Sequence, residues 1–422
     1  MNLSQRFNRH KHEDHSYGPF GFLNPTIRNL SFPEHIDQAG KETASQPEPA
    51  TKSPKPWHHE IHSQFRTRDN RKGRHALLLT HHAHTSPKIS TPPPTTSLPQ
   101  TLHTIRLMFT SFPYWDISYL VAIIFTFGSV IWCVNAFFVW LPLQVPSSEF
   151  EGEIGDAGGI TAFIGATVFE IGSVFLMLEA VNEKREGCFG WAVEELIGKE
   201  VRVGRGVCGH HHGNKGNLVG KGGGGVGDVK EQPDGEGVAG KENRSWVWWP
   251  TWHELRTHYS RDIGFLACLA QMIGATVFWI SGFTALPPIY DALTSRAAQN
   301  GAFWLPQVIG GTGFIISGTL FMLETQSHWY RPAFSVLGWH IGAWNLIGGI
   351  GFTLCGALGF ASSNSGCVYQ GSLATFWGSW CFLIGSVIQW FESLEKFPVV
   401  VVEVGGGERG GDGKAEMKGE VV

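Results

Sequence analysis

Six stretches of the chain are apolar on every face, and polar segments separate them. These stretches cover residues 119–141, 159–180, 263–285, 304–324, 335–360 and 373–391. A helix of about 20 apolar residues crosses the roughly 30 Å hydrocarbon core of a bilayer. None of the six stretches contains Lys or Arg. The pattern therefore predicts an all-α fold, namely a polytopic membrane protein with six transmembrane helices. The mean hydropathy of -0.05 is low because long polar tails dilute these stretches.

A spacing motif recurs in these stretches: a Gly, a Phe four positions later, and small residues three and four positions after that. The second stretch shows it as Gly165, Phe169 and Gly172, and the first departs from it at Trp132 and Asn135. Helices in lipid associate by close packing of small residues, so we predict that the glycines form a packing seam. The predicted packing residues are Gly165, Gly172, Gly274, Gly310, Gly348, Gly378 and Gly385. A ligand groove lined by glycines is the alternative.

Even-numbered stretches share an acidic residue near their ends: Glu179, Glu324 and Glu392. The repeated unit is therefore predicted to be a two-helix hairpin that is present three times. We expect the three hairpins to pack as one bundle. A carboxylate at a helix C-terminus opposes the helix dipole, so each needs a compensating cation. The nearby candidates are Lys184, Arg185, Arg331 and Lys396. An acidic vestibule or cation site is the alternative interpretation.

The distribution of basic residues predicts the orientation. Loops 142–158, 287–303 and 361–372 hold one basic residue between them, Arg296, whereas 181–262 holds twelve. Basic loops stay on the cytosolic side, so both termini are predicted to be cytosolic. The predicted organisation is a disordered cytosolic tail (1–115), hairpin 1 (116–181), a mostly flexible cytosolic loop (182–250), an interfacial helix with hairpin 2 (251–325), hairpin 3 (326–396) and a disordered tail (397–422).

Glu170 lies near the middle of the second stretch, where an ionised side chain is costly. Such residues usually face the bundle interior. Gln271 and Asn345 lie at a similar depth and are predicted to be its hydrogen-bond partners. Two hypotheses follow: a protonated Glu170 that joins helices structurally, or a group on an ion or proton pathway.

Other candidate chemistry is weak. Cys208 and His210–His211–His212 offer zinc-type ligands, but they lack the spacing of a formed site. His253 and His258 are five apart rather than the four that a zinc-protease helix requires. We predict no metal, no cofactor and no enzymatic activity. The sequence has no basic patch with interleaved aromatic residues, so we predict no nucleic-acid binding.

The paired motif resembles the YrhK-like two-helix membrane module. The segments "GATVFEIGSVFLMLEAVN", "CFGWAVEEL" and "WWPTWHELRTHY" also resemble a group of uncharacterised fungal multi-pass integral membrane proteins. The resemblance covers about 116–396 and implies an architecture but no activity. The leading functional prediction is a non-enzymatic scaffold that organises in the bilayer, with protein partners at its cytosolic tails. The alternative is an ion- or proton-coupled small-solute transporter or channel that uses Glu170. Homo-oligomer formation is left open.

Overall fold

The computed structural model describes residues 16–31, 61–74, 76–80, 93–182, 246–396 and 398–402. Its helices are α1 (Thr67–Arg71), α2 (Leu98–Thr110), α3 (Ile117–Gln144), α4 (Gly158–Val181), α5 (Trp252–Thr257), α6 (Ile263–Thr284), α7 (Leu305–Glu324), α8 (Leu337–Gly359) and α9 (Ser365–Leu394), with short helical turns at Pro287–Tyr290 and Arg296–Gln299. Six of these helices, α3, α4 and α6 to α9, are long and apolar enough to span a membrane. The predicted fold class, an all-α multi-pass membrane protein with six spanning helices, is confirmed.

The six spanning helices form a closed ring. Each packs against its neighbours in sequence, and α9 packs against α3. All three hairpins therefore belong to one bundle. Connections 145–157, 285–304 and 360–364 lie at one end. Glu179, Glu324 and Glu392 lie at the other end, which we call the charged end.

Polar caps set where several helices begin. The side chains of Asp116 and Asp262 accept hydrogen bonds from backbone N–H groups in the first turns of α3 and α6. Asn364 does the same for α9, so this helix begins at Ser365 rather than at the predicted residue 373. Hydropathy missed these extra two turns because they are rich in polar residues. Ahead of α5, Thr251 and Glu254 form the capping box that their spacing indicates.

A five-stranded sheet lies outside the six-helix ring. Its strands are β1 (Ser16–Tyr17), β2 (Ile27–Ser31), β3 (Ile61–Arg66), β4 (Ala76–Thr80) and β5 (Val399–Val402), in the order β1-β2-β3-β4-β5. All pairs are antiparallel except β4 with β5, which are parallel. Strands that precede and follow the six spanning helices therefore pair in one sheet.

Disordered tails were predicted over 1–115 and 397–422 because the first of them is rich in His, Pro and Ser. Within these tails, the described residues hold the five strands together with α1 and α2. Backbone pairing between distant strands and charge pairing with the bundle hold these described segments in place. Residues 183–245 of the predicted flexible loop, with the candidate metal ligands Cys208, His210, His211 and His212, lie outside the described residues.

Candidate functional site

An aromatic layer crosses the middle of the bundle. It consists of the fifth motif position of all six spanning helices: Trp132, Phe169, Phe278, Phe314, Phe352 and Phe382. All six are at most 4% exposed. Most of their contacts are edge-to-face; the rings of Trp132 and Phe352, for example, have centroids 4.9 Å apart. Trp132, the departure in the first motif, therefore occupies the same place as the phenylalanines.

The motif glycines make room for this layer. A Cβ atom on Gly165 would lie 2.9 Å from the Trp132 ring, and one on Gly348 would lie 2.9 Å from the Phe382 ring. On Gly310 it would meet the backbone oxygen of Gly274 at 2.7 Å. Gly172, Gly378 and Gly385 also face a neighbouring spanning helix within 3.3 Å. These glycines therefore let rings, backbone or side chains of the neighbouring spanning helix approach closely.

At the charged end, the bundle binds residues 66–74, which we call the basic segment. It connects β3 to the turn before β4 and contains α1. Glu392 is its most heavily used partner: Arg68 Nη2 lies 2.8 Å from Oε2, and Arg74 Nη1 lies 3.1 Å from Oε1. Lys72 Nζ is 3.7 Å from Oε2. One carboxylate from the last spanning helix therefore faces three cations.

Glu324 has one main partner. Arg71 donates to both of its oxygens, with Nη1–Oε1 2.6 Å and Nη2–Oε2 2.8 Å. The Thr67 hydroxyl donates to Oε1 at 3.3 Å. The Arg71 guanidinium also lies 5.5 Å from the centre of the Phe321 ring, within cation–π range. This bidentate geometry is the strongest form of Arg–carboxylate pairing.

Glu179 completes a set of three carboxylates, with Glu324 and Glu392, that we call the carboxylate triad. The Ser118 hydroxyl donates to Glu179 Oε1 at 2.6 Å, and Lys72 Nζ lies 3.9 Å from the same atom. Each hairpin supplies one member of the triad. Every member is at most 2% exposed.

Buried cations and carboxylates face each other in this cluster. Buried Arg68, Arg71, Lys72 and Arg74 face buried Asp69, Glu179, Glu324 and Glu392. Burial opposes the charge on Arg71, but Glu324 and the other carboxylates outweigh it and raise the pKa of the guanidinium. Burial lowers the pKa of Lys72, because Glu179 and Glu392 offset it only in part at their longer distances. Losing one member of such a buried pair typically costs about 3–5 kcal/mol.

The segment that follows α9 holds the basic segment from the other side. Arg74 Nε donates to the backbone oxygen of Glu395 at 2.8 Å. Lys396 Nζ donates to the backbone oxygen of Lys72 at 2.8 Å and pairs with Asp116 at 2.6 Å. The prediction that Lys396 compensates a triad carboxylate is therefore corrected. Lys184 and Arg185 lie outside the described residues, and Arg331 is exposed.

Glu395 makes the hold on the basic segment sensitive to pH. Burial raises the pKa of its carboxyl to about 7, and Arg74 offsets this only in part. Such a group stays protonated when folded at a pH where it would ionise in water. Its contribution to stability is complete below the ordinary carboxyl pKa and is lost as the pH rises through about 7.

We therefore compare the rate at which trypsin cuts the basic segment in the parent protein with the rate in the Glu395→Gln variant. The ratio of the parent rate to the variant rate should be higher at about pH 8 than at about pH 6, because only the parent has a carboxyl that ionises at this position. The measurement is quantitative mass spectrometry of the cleaved peptides. A parent-to-variant ratio that stays constant with pH would contradict this prediction.

A polar cavity lies on the bundle axis between the basic segment and the aromatic layer. Its volume is about 30 Å³, enough for one or two water molecules. The spanning helices line the cavity with Gln271, Asn345, Gln389, several serines, Glu179, Phe169 and Phe382, and the basic segment lines it with Arg68, Arg71 and Lys72. Gln271 and Asn345, two of the predicted intramembrane polar residues, thus share one site.

Glu170 does not belong to that site. Its carboxylate accepts a hydrogen bond from the Thr276 hydroxyl at 2.9 Å, between the second and third spanning helices. It does not line the axial cavity. The prediction that Gln271 and Asn345 are its partners is corrected. The Glu170 side chain lies beside α6 rather than in the axial cavity.

Sequence reasoning missed the basic segment altogether. The signal was present: five of the nine residues from 66 to 74 are Lys or Arg, and the three hairpins present three matching carboxylates. No family model, curated protein or solved structure matches the chain. The resemblance to YrhK-like modules and to fungal membrane proteins therefore stays a prediction.

Proposed function

We propose that the protein is a non-enzymatic membrane organiser whose bundle holds its own amino-terminal arm at the cytosolic face. The observation that supports this is the buried pairing of the carboxylate triad with the basic segment. The pair Arg68–Glu392 joins residues 324 positions apart. A bundle that fixes a soluble arm in this way presents the attached sheet at one defined place on the membrane for a protein partner.

We further propose that the triad reflects an internal repeat and that the charged end is cytosolic. Glu179, Glu324 and Glu392 lie at matching places in three hairpins. The connections at the opposite end carry one basic residue, Arg296, while at the charged end 181–262 carries twelve and 325–336 carries one, Arg331. Basic connections remain cytosolic during membrane insertion.

The test cuts the arm without removing it. A specific protease site is placed within residues 81–92 of the full chain, so that cleavage separates the basic segment from the bundle covalently. In inside-out vesicles, the cut fragment should stay with the membrane after washing in moderate salt, because buried pairs are poorly screened. In right-side-out vesicles the site should be protected.

The matched controls are two double variants. Glu324→Gln with Glu392→Gln should release the fragment, since two of the three triad charges are gone. Glu149→Gln with Glu151→Gln removes two exposed charges at the opposite end and should retain it. Loss of the fragment from the parent protein would overturn the organiser proposal. Cleavage only in right-side-out vesicles would overturn the cytosolic assignment and leave the organiser proposal intact.

A cation pathway along the axis is the second candidate, and the polar cavity beneath the carboxylate triad favours it. Charged rings and hydrophobic constrictions are common parts of channels. It ranks second because the aromatic layer fills the axis and the cavity holds only one or two waters. Such a pathway would pass Glu179 and not Glu170. Cation flux into proteoliposomes after release of the arm would establish it; the organiser proposal expects none.

A further inference from the structure

Helix α2 carries an apolar stripe that is exposed among the residues that the structure describes. Leu98, Leu102, Ile105 and Phe109 are 71%, 56%, 41% and 68% exposed. Their spacings of four, three and four residues place them on one face of a helix. Four large apolar side chains in a row are more than the scattered exposure expected of a water-soluble surface.

Two other faces of α2 have different surroundings. Thr104 and Met108 are at most 6% exposed, and Met108 packs in a cluster with Tyr119 and Leu394 of the bundle. His103 and Arg106 are exposed and lie about 70–130° beyond the apolar stripe, at 100° per residue. The helix thus has one side against the bundle, one apolar side and one polar side.

The apolar stripe continues the lipid-facing surface of the bundle. The Phe109 ring lies 5.9 Å from that of Trp390, which belongs to the last spanning helix near its charged end. Helix α2 ends at Thr110, and the first spanning helix begins at Ile117. Phe112 and Tyr114, in the short link between them, are also 59% and 70% exposed. The stripe is therefore placed where the bilayer surface meets the protein.

We propose that α2 is an in-plane membrane helix, with its apolar stripe inserted at the boundary between lipid headgroups and acyl chains. This arrangement is characteristic of interfacial amphipathic helices, which lie along the membrane surface with the polar face in water. The occupant of the stripe is thus the lipid surface rather than a second copy of the chain or another protein. The polar face keeps Arg106 at the level of the phosphate groups.

Thr104 links α2, and therefore its contact with lipid, to the basic segment. Its hydroxyl donates to Glu395 Oε1 at 3.1 Å, and the backbone oxygen of Glu395 holds Arg74. A displacement of α2 from the membrane surface would move this contact. The lipid surface therefore helps position the residues that hold the arm, whether or not the arm recruits a partner.

The experiment places a photo-crosslinking amino acid, p-benzoylphenylalanine, at Leu102 of the full chain. The matched control carries it at the neighbouring His103, on the polar face. Both proteins are reconstituted in vesicles of phosphatidylcholine and phosphatidylserine, irradiated and analysed by mass spectrometry. We expect lipid adducts at Leu102 in several-fold higher yield than at His103.

Other results would overturn the proposal. Crosslinked dimers at Leu102 would show that a second copy covers the stripe. Equal lipid yields at the two positions, or none at either, would show that α2 does not lie in the surface with this orientation. The same residue at Phe109 provides a second position, so that failure of one variant to fold does not decide the outcome. Monodisperse elution in detergent checks folding of each variant.

Discussion

Replacing Glu392 with glutamine is expected to free the basic segment from the bundle. The substitution keeps the size of the side chain but leaves Arg68, Lys72 and Arg74 buried opposite a neutral amide. The loss should be about 3 kcal/mol, at the low end for a broken buried pair because the amide oxygen still accepts a hydrogen bond. Limited trypsin digestion followed by mass spectrometry should show new cleavage within residues 66–74, which the parent protein protects.

Two further variants serve as controls for that result. Glu151→Gln removes an exposed carboxylate at the opposite end of the bundle and should leave digestion unchanged. Combining Glu392→Gln with Arg68→Gln should restore part of the protection, because one uncompensated cation is removed with its partner. Parent-like digestion of Glu392→Gln would mean that the pairs with Glu324 and Glu179 suffice to hold the arm.

Truncating Phe352 to alanine is expected to destabilise the whole bundle. Phe352 is 1% exposed and contacts Trp132, Phe278 and Phe382 at centroid distances of 4.9, 5.6 and 5.3 Å. We expect a loss of about 3 kcal/mol, the low end for a buried Phe→Ala change, because unfolding within lipid exposes no apolar surface to water. The measurement is the unfolding midpoint in detergent titrated with dodecyl sulfate.

Phe127→Ala provides the matched control. Phe127 lies on the first spanning helix and is 60% exposed, on the surface that faces lipid. Its removal should shift the midpoint by only a small fraction of the shift caused by Phe352→Ala. Comparable shifts for the two variants would show that the aromatic layer contributes no special packing and that aromatic content alone matters.

Hydropathy and motif spacing predicted the membrane helices because both depend on local sequence. Each span needs its own run of apolar residues, and the motif brings each helix's small residues and aromatic ring to one face. The closed ring could not be predicted in this way, because no local sequence pattern indicates that α9 packs against α3. The start of α9 at Ser365 depends on the cap supplied by Asn364, which hydropathy averages ignore.

The axial cavity shows what the motif could have predicted. Gln271 precedes Phe278 by seven residues, and Asn345 precedes Phe352 by seven. Seven residues are almost two helical turns, so each amide shares a face with a ring of the aromatic layer. Both amides therefore had to face the axis.

Glu170 follows directly after Phe169, and one step along a helix turns the side chain by about 100°. With Phe169 on the axis, Glu170 had to point elsewhere. Depth in the membrane alone does not fix the direction of a side chain, and this is why the prediction for Glu170 was wrong.

The basic segment could not be placed from local pattern. Its partners lie in three different hairpins, more than a hundred residues away at the nearest of them, Glu179. Composition is averaged over the whole tail, so the five basic residues of this segment do not stand out from a long polar region. The one clue that links the segment to the bundle is a dense run of cations that matches three carboxylates at the ends of α4, α7 and α9. These residues are spread over most of the sequence.

Arg68 and Glu392 are 324 residues apart in sequence, and this separation sets the order of events during synthesis. The ribosome makes the basic segment first, but its most heavily used partner lies in the last spanning helix, and β5 follows that helix. Contacts of such long sequence separation form late. The amino-terminal arm therefore stays without its Glu392 partner until the sixth spanning helix has been made. A nascent chain that stops before residue 392 can offer the arm only two of the three carboxylates, and so the full set of ion pairs forms only after all six spanning helices have been made.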